Sequence, residues 1–179
     1  LTIGGISATV GVSATTGAIT ITATSPMTVA ENMSTAGAIT LDALETNDAP
    51  TFADVLTVNA GVTVNSTGAD VTLRAGDDLT LVATSVVQSD TGAVTLRAGF
   101  GDLDDSGALN LGGTVNAATA LTLSAVGDIT IGLLSVPGGT ITITADFNAN
   151  GTGAIIDGNA GTNNLDAATA NLSAATGIG

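Results

Sequence analysis

Short alternating triplets dominate this chain. An apolar residue, a threonine and a second apolar residue recur at Ile19-Thr20-Ile21, Ile39-Thr40-Leu41, Val71-Thr72-Leu73, Val94-Thr95-Leu96, Leu121-Thr122-Leu123 and Ile141-Thr142-Ile143. A period of two rich in β-branched residues describes a strand buried on one face, with Ile, Val and Leu inward and Thr outward. A second triplet follows in the same style, Leu79-Thr80-Leu81 after Val71 and Ile129-Thr130-Ile131 after Leu121. A weaker third piece, Val86-Val87 or Leu134-Ser135-Val136, precedes the next first triplet. Helical periodicity is poor throughout.

The segments that carry the first triplets are themselves repeated. GAITITA begins at Gly17, GADVTLRA at Gly68, ATALTLSA at Ala118 and ATANLSA at Ala168, with GAITLDA, GAVTLRA and GTITITA between them. The unit is therefore about fifty residues, a short turn followed by a long one, and repetition on that scale predicts a solenoid. The expected fold is all-β: a right-handed parallel β-helix with three short strands per coil and six to seven coils. Residues 1–179 read as one continuous segment of a longer repeat protein, with units at 17–67, 68–117 and 118–167 and partial units at both ends. At ~4.8 Å per coil the rod is roughly 30–35 Å long. Gly, Asn and Asp supply corners that need positive φ, and Pro26 and Pro137 fall between triplets, where a missing N–H does little harm.

The long coils gain their length between first and second strands, in DALETNDAPTFADV, RAGFGDLDDSGA and TADFNANGTGA. Stacking in register predicts that these inserts leave one edge of the rod, on every second turn. They hold all three phenylalanines, Phe52, Phe100 and Phe147. Each ring either folds back to seal its insert over the core or is displayed for contact with a glycan or protein partner. The inserts are also acidic. Asp146, Asn148 and Asn150 alternate before Gly151, and Asp157 falls at the twelfth position of a calcium-type loop. Asp102, Asp104 and Ser106 before Gly107 repeat the theme, which makes calcium the candidate cofactor. Flanking helices are absent, Asp stands where the helical motif has Glu, Gly113 takes that place in the second loop, and Asp and Asn are also ordinary corner residues. One position beyond each first triplet runs a second outward row: Thr22, Asp42, Arg74, Arg97, Ser124, Thr144 and Ser173. Asp42 and Arg74 become neighbours one turn apart and are expected to pair. Arg97 stacks on Arg74, with Asp77, Asp78 and Asp102 expected to compensate.

Charge narrows the function. Sixteen acidic residues face two basic ones, Arg74 and Arg97, for a net charge of −14. Such a surface opposes binding to nucleic acid or anionic lipid. No apolar run approaches the ~18 residues of a membrane-spanning helix, so membrane insertion is not expected. His, Lys, Cys and Tyr are absent, which removes the usual proton carriers and nucleophiles. Asp77-Asp78 and Asp104-Asp105 are paired carboxylates, but neighbours along an extended chain point opposite ways, whereas glycoside chemistry needs two carboxyls facing across a substrate. The chain is therefore read as a non-enzyme rather than a polysaccharide-degrading β-helix. Outward Thr-x-Thr at Thr20-Ile21-Thr22 and Thr142-Ile143-Thr144 suits an ice-binding face, but Asp42, Arg74 and Arg97 break that array.

The GA-[IV]-T-[IL]-x-A strands, the Asn/Gly corners and the phrase GAIIDGNAGTNNLDAATANLSAATGIG resemble the repeat region of filamentous-haemagglutinin-type exoproteins. The resemblance covers essentially the whole chain and implies a right-handed parallel β-helix. It further implies an extracellular or bacterial cell-surface location and a structural part in adhesion, biofilm or fibre formation. The partners it implies are neighbouring repeats, identical chains in a fibre, or a host or cell-surface glycan or protein. The two-turn unit is longer than the single-turn repeat of the best-known members, and no receptor-binding motif of the family carries over to any residue.

Overall fold

The computed structural model describes residues 1–4, 11–24, 26–46, 54–101 and 103–179. Within them there is no helix, and every strand pair is parallel. The strands fall into three columns. The first holds Ile19–Ala23, Ile39–Ala43, Val71–Ala75, Val94–Arg97, Ala120–Ala125 and the later halves of Leu133–Ala145 and Leu165–Ser173. The second holds Thr2–Ile3, Met27–Val29, Leu56–Val58, Leu79–Leu81, Leu109–Leu111, Ile129–Ile131, Ala154–Asp157 and Gly177–Ile178. The third holds Val12–Ala14, Met33–Thr35, Thr63–Ser66, Val86–Ser89, Thr114–Ala117 and the opening halves of the two long strands. The chain visits first, second and third columns in turn and then returns one layer further on. This is the stacked parallel arrangement expected of a solenoid-like protein.

Register follows the triplets. Ile19, Ile39, Val71, Val94, Leu121, Ile141 and Ala170 lie one upon the next, as the sequence spacing requires. Met27, Leu56, Leu79, Leu109, Ile129 and Ile155 form the corresponding row of the second column. These rows meet in a single buried core, and each fully buried aliphatic side chain contributes about 1.5–3 kcal/mol. The core thins at the last layer, where Ala170 and the partly exposed Leu172 stand in the rows of Ile141 and Ile143.

The third column explains why its triplets are hard to see in the sequence. One of its inward rows is Thr35, Ser66, Ser89 and Ala117, so hydroxyls occupy a core position. Each hydroxyl is satisfied at the corner. Thr35 Oγ1 donates to the Gly17 carbonyl, Ser66 Oγ to Gly37 O (2.7 Å) and Ser89 Oγ to Ala69 O (2.6 Å). The same oxygens accept from the N–H groups of Gly37, Ala69 and Gly92. Each side chain thereby fastens its own corner to the layer before it.

Acidic and amide corner residues perform a related task. Asn32, Asp70, Asp78 and Asp128 each precede a buried strand residue, and each side chain accepts the N–H of the equivalent residue one layer on: Thr63, Ala93, Ala108 and Ala154. Pro137 lies within a strand, Leu133–Ala145, that runs unbroken from third to first column. The proline harms nothing there, because the ladder shifts register between Val136 and Thr140. Gly138 (φ +83°) and Gly139 make that corner, and a Cβ on Gly139 would strike the Thr119 carbonyl oxygen. Inserts 44–55, 98–108 and 146–153 all leave the same corner, between first and second columns, on alternate layers.

Candidate functional site: the insert corner

Two assemblies occupy this corner. The first grows from the outward row Thr22, Asp42, Arg74, Arg97, Ser124, Thr144 and Ser173, whose members are direct neighbours from layer to layer. Asp42 takes Arg74 in a two-pronged pair, Nε to Oδ1 at 2.6 Å and Nη2 to Oδ2 at 2.8 Å, as expected. That hydrogen bonding holds the Arg74 guanidinium above its ordinary pKa, against a smaller opposing effect of burial. The second and third inserts then fold back over the arginines. Arg74 Cζ stands 4.3 Å from the Phe100 ring centroid, and Arg97 Cζ stands 5.4 Å from Phe100 and 4.1 Å from Phe147.

Both rings are half-buried on the arginine row. They neither plug the apolar core nor stand free of the rod. Of the aspartates expected to compensate Arg97, Asp77 and Asp78 are turned to other partners, and aromatic faces cover the guanidinium. The ring quadrupole answers a stacked pair of like charges without adding a formal charge. Phe52 and Asp102 lie outside the described residues.

The second assembly is acidic. Carboxylate oxygens of Glu45, Asp77 and Asp104 lie within 4.8 Å of one another. These residues come from three successive layers. Asp77 is buried; its Oδ2 accepts the Asp54 N–H (2.9 Å), and its Oδ1 lies 2.9 Å from Ser106 Oγ, which is also 2.8 Å from Asp104 Oδ1. One hydroxyl proton therefore serves two carboxylates. Asp54, also buried, accepts both the N–H and the hydroxyl of Thr46 on Oδ2. Full charges at this spacing repel by about 3 kcal/mol per pair at an effective dielectric near ~20. Asp78, next in sequence, points elsewhere. Burial, with the nearby Asp77 charge, pushes its pKa up, partly offset by the Ala108 N–H.

Asp104 and Ser106 thus join a cluster that the calcium-loop pattern did not group, since Glu45, Asp54 and Asp77 are remote in sequence. Column register carries the signal that finds part of it: Asp54 and Asp77 both stand two residues before a second-column strand, Leu56–Val58 and Leu79–Leu81.

The other expected loop is organised differently. Asp146 (φ +63°) accepts from the N–H groups of Asn150 and Gly151, and Asn150 Oδ1 accepts from Thr152. Asn148 and Asn150 reach down to Asp105 Oδ1 with their amide groups, at 2.6 and 2.9 Å, joining the third insert to the second. Asp157 does not join them. It ends Ala154–Asp157 and accepts from Asn159 N (2.9 Å) and Asn164 Nδ2 (3.0 Å) at the next corner. Those hydrogen bonds, the backbone one foremost, hold its pKa below the ordinary range. Ile129–Ile155, Thr130–Ile156 and Ile131–Asp157 pair without a shift: Ile156 faces outward, and Asp157 takes an inward-row position exposed at the strand's end.

Beyond the corner, Thr20, Thr40, Thr72, Thr95, Thr122 and Thr142 stack in one outward row, flanked by the arginine row. Among the described residues, no helix is long and apolar enough to cross a membrane. Compared with family models, with curated proteins and with solved structures, the chain matches none.

Proposed function

We propose that the chain is a stretch of right-handed parallel β-helix that serves as a structural and adhesive stalk or filament segment of a large bacterial surface or secreted protein. The supporting observation is the unbroken vertical register of the three columns, which makes every layer a template for the next. Right-handedness follows from the general preference of parallel crossovers. Length is then the property that this architecture supplies, and the resemblance to filamentous-haemagglutinin-type repeats fits that use. The inserts on alternate layers give the rod one decorated flank, bearing the half-buried Phe100 and Phe147, where a glycan or protein partner would meet it.

Antibody raised against the 179-residue chain tests the reading on cells of the producing organism. Labelling of intact cells or shed fibres, together with loss of surface attachment on deletion of the gene, is the expected result. Label that appears only after permeabilisation overturns it.

A further inference from the structure

We propose that Glu45, Asp77 and Asp104, with Asp54 beside them, form a binding site for a hard divalent cation, calcium by ligand type, that fastens the first insert to the second. The inference does not depend on the adhesive reading. Three carboxylates gathered within 4.8 Å suit one ion with oxygen ligands. The second observation is Asp54. The residue is 1% exposed; its side chain accepts from Thr46, which adjoins Glu45, and its backbone N–H donates to Asp77. One carboxylate oxygen, Oδ2, is used by Thr46; the other, Oδ1, is buried and has no hydrogen-bond partner among the described residues. A buried, ionisable oxygen without a donor is costly unless a cation answers it.

Among the described residues, the one ion pair, Arg74 with Asp42, lies outside this group. The chain has two basic side chains, and both belong to the arginine–phenylalanine stack. Ser106 holds Asp77 and Asp104 at a common spacing, as partners that orient ligands do. Backbone space favours the arrangement too: a Cβ on Gly76 or Gly101 would press on Glu45, so glycines let that side chain lie against the next layers.

Calorimetric titration of the 179-residue chain with calcium chloride, paired with thermal unfolding in calcium or in chelator, tests the proposal. The expected result is one ion per chain and an unfolding midpoint that rises with calcium. Glu45→Gln and Asp104→Asn should each weaken binding by about tenfold or more. In chelator both variants should unfold no earlier than the parent, because each relieves repulsion; a purely structural role predicts a fall there instead. Asp146→Asn, in the other loop, should bind calcium as the parent does. Absence of binding heat and of any midpoint shift overturns the proposal. So does binding that survives Glu45→Gln and Asp104→Asn, or that is lost in Asp146→Asn.

Discussion

Phe100→Leu removes an aromatic face while keeping most of the apolar volume, so it isolates what the ring does between two arginines. Arg74 and Arg97 approach the centroid at 4.3 and 5.4 Å, both inside the ~6 Å range of a cation–π contact. At a half-exposed site each contact is worth about 0.5–1 kcal/mol, so the substitution should cost about 1–2 kcal/mol. In a chain of this length that lowers the unfolding midpoint by about 2–8 °C. The chain has neither Trp nor Tyr, which makes far-UV circular dichroism in urea the suitable probe. Layered proteins can lose cooperativity, so the denaturant slope must match the parent for the comparison to stand. A double-mutant cycle of Arg97→Met with Phe147→Leu, at 4.1 Å, should return a coupling of about 0.5–1 kcal/mol. If Phe100→Leu stays within about 0.3 kcal/mol of the parent at equal slope, the rings are mere surface cover and the argument from quadrupoles is wrong.

Two further outcomes follow from buried polar groups. Ser66→Ala removes a hydroxyl that donates to Gly37 and accepts from Ala69, leaving both backbone groups short of a partner; a loss of about 1–3 kcal/mol is expected in urea unfolding, and an unchanged midpoint counts against the corner-fastening role. Asp78 has a folded-state pKa raised above its unfolded value of about 3.9, so the folded form binds more protons between the two and ionised Asp78 subtracts stability above that window. Asp78→Asn keeps an oxygen for Ala108 and should therefore be more stable than the parent at pH 7, with the advantage vanishing as pH falls below about 4. A difference that stays constant across pH refutes the electrostatic cause.

How far the sequence discloses this structure depends on which side chains each row carries. The first and second columns are written in aliphatic-Thr-aliphatic triplets, and their register, including the long step from Ile39 to Val71, is legible because a slip of one residue would expose the whole inward set. The third column blurs because Thr35, Ser66 and Ser89 fill inward places, and a polar residue inside reads as a loop residue until its corner partners are known. Much of the corner Asp and Asn content is structural for a similar reason: Asn32, Asp70, Asp78 and Asp128 hold the layer above. The shared corner of the inserts was readable from the position of the extra residues. The conformation of each insert was not, since Phe100 lies nearer to Arg74 of the preceding layer than to Arg97 of its own, and Phe147 settles on Arg97 of an earlier layer.

That dependence on stacking explains why chemistry collects at one corner. A residue in an insert meets neighbours from its own segment, and it also lies beside whatever the layers below present at the same edge. Asp42, Arg74 and Arg97 form a continuous outward row, and rings from two inserts close over it. Glu45, Asp77 and Asp104 similarly converge from three layers, and Asp105 receives Asn148 and Asn150 from the insert two layers on. Moving an insert to another corner, with its sequence unchanged, would separate every one of these groups. The column register therefore governs the composition of the flank as well as the core. A solenoid-like fold built this way gains a distinct face without adding a domain.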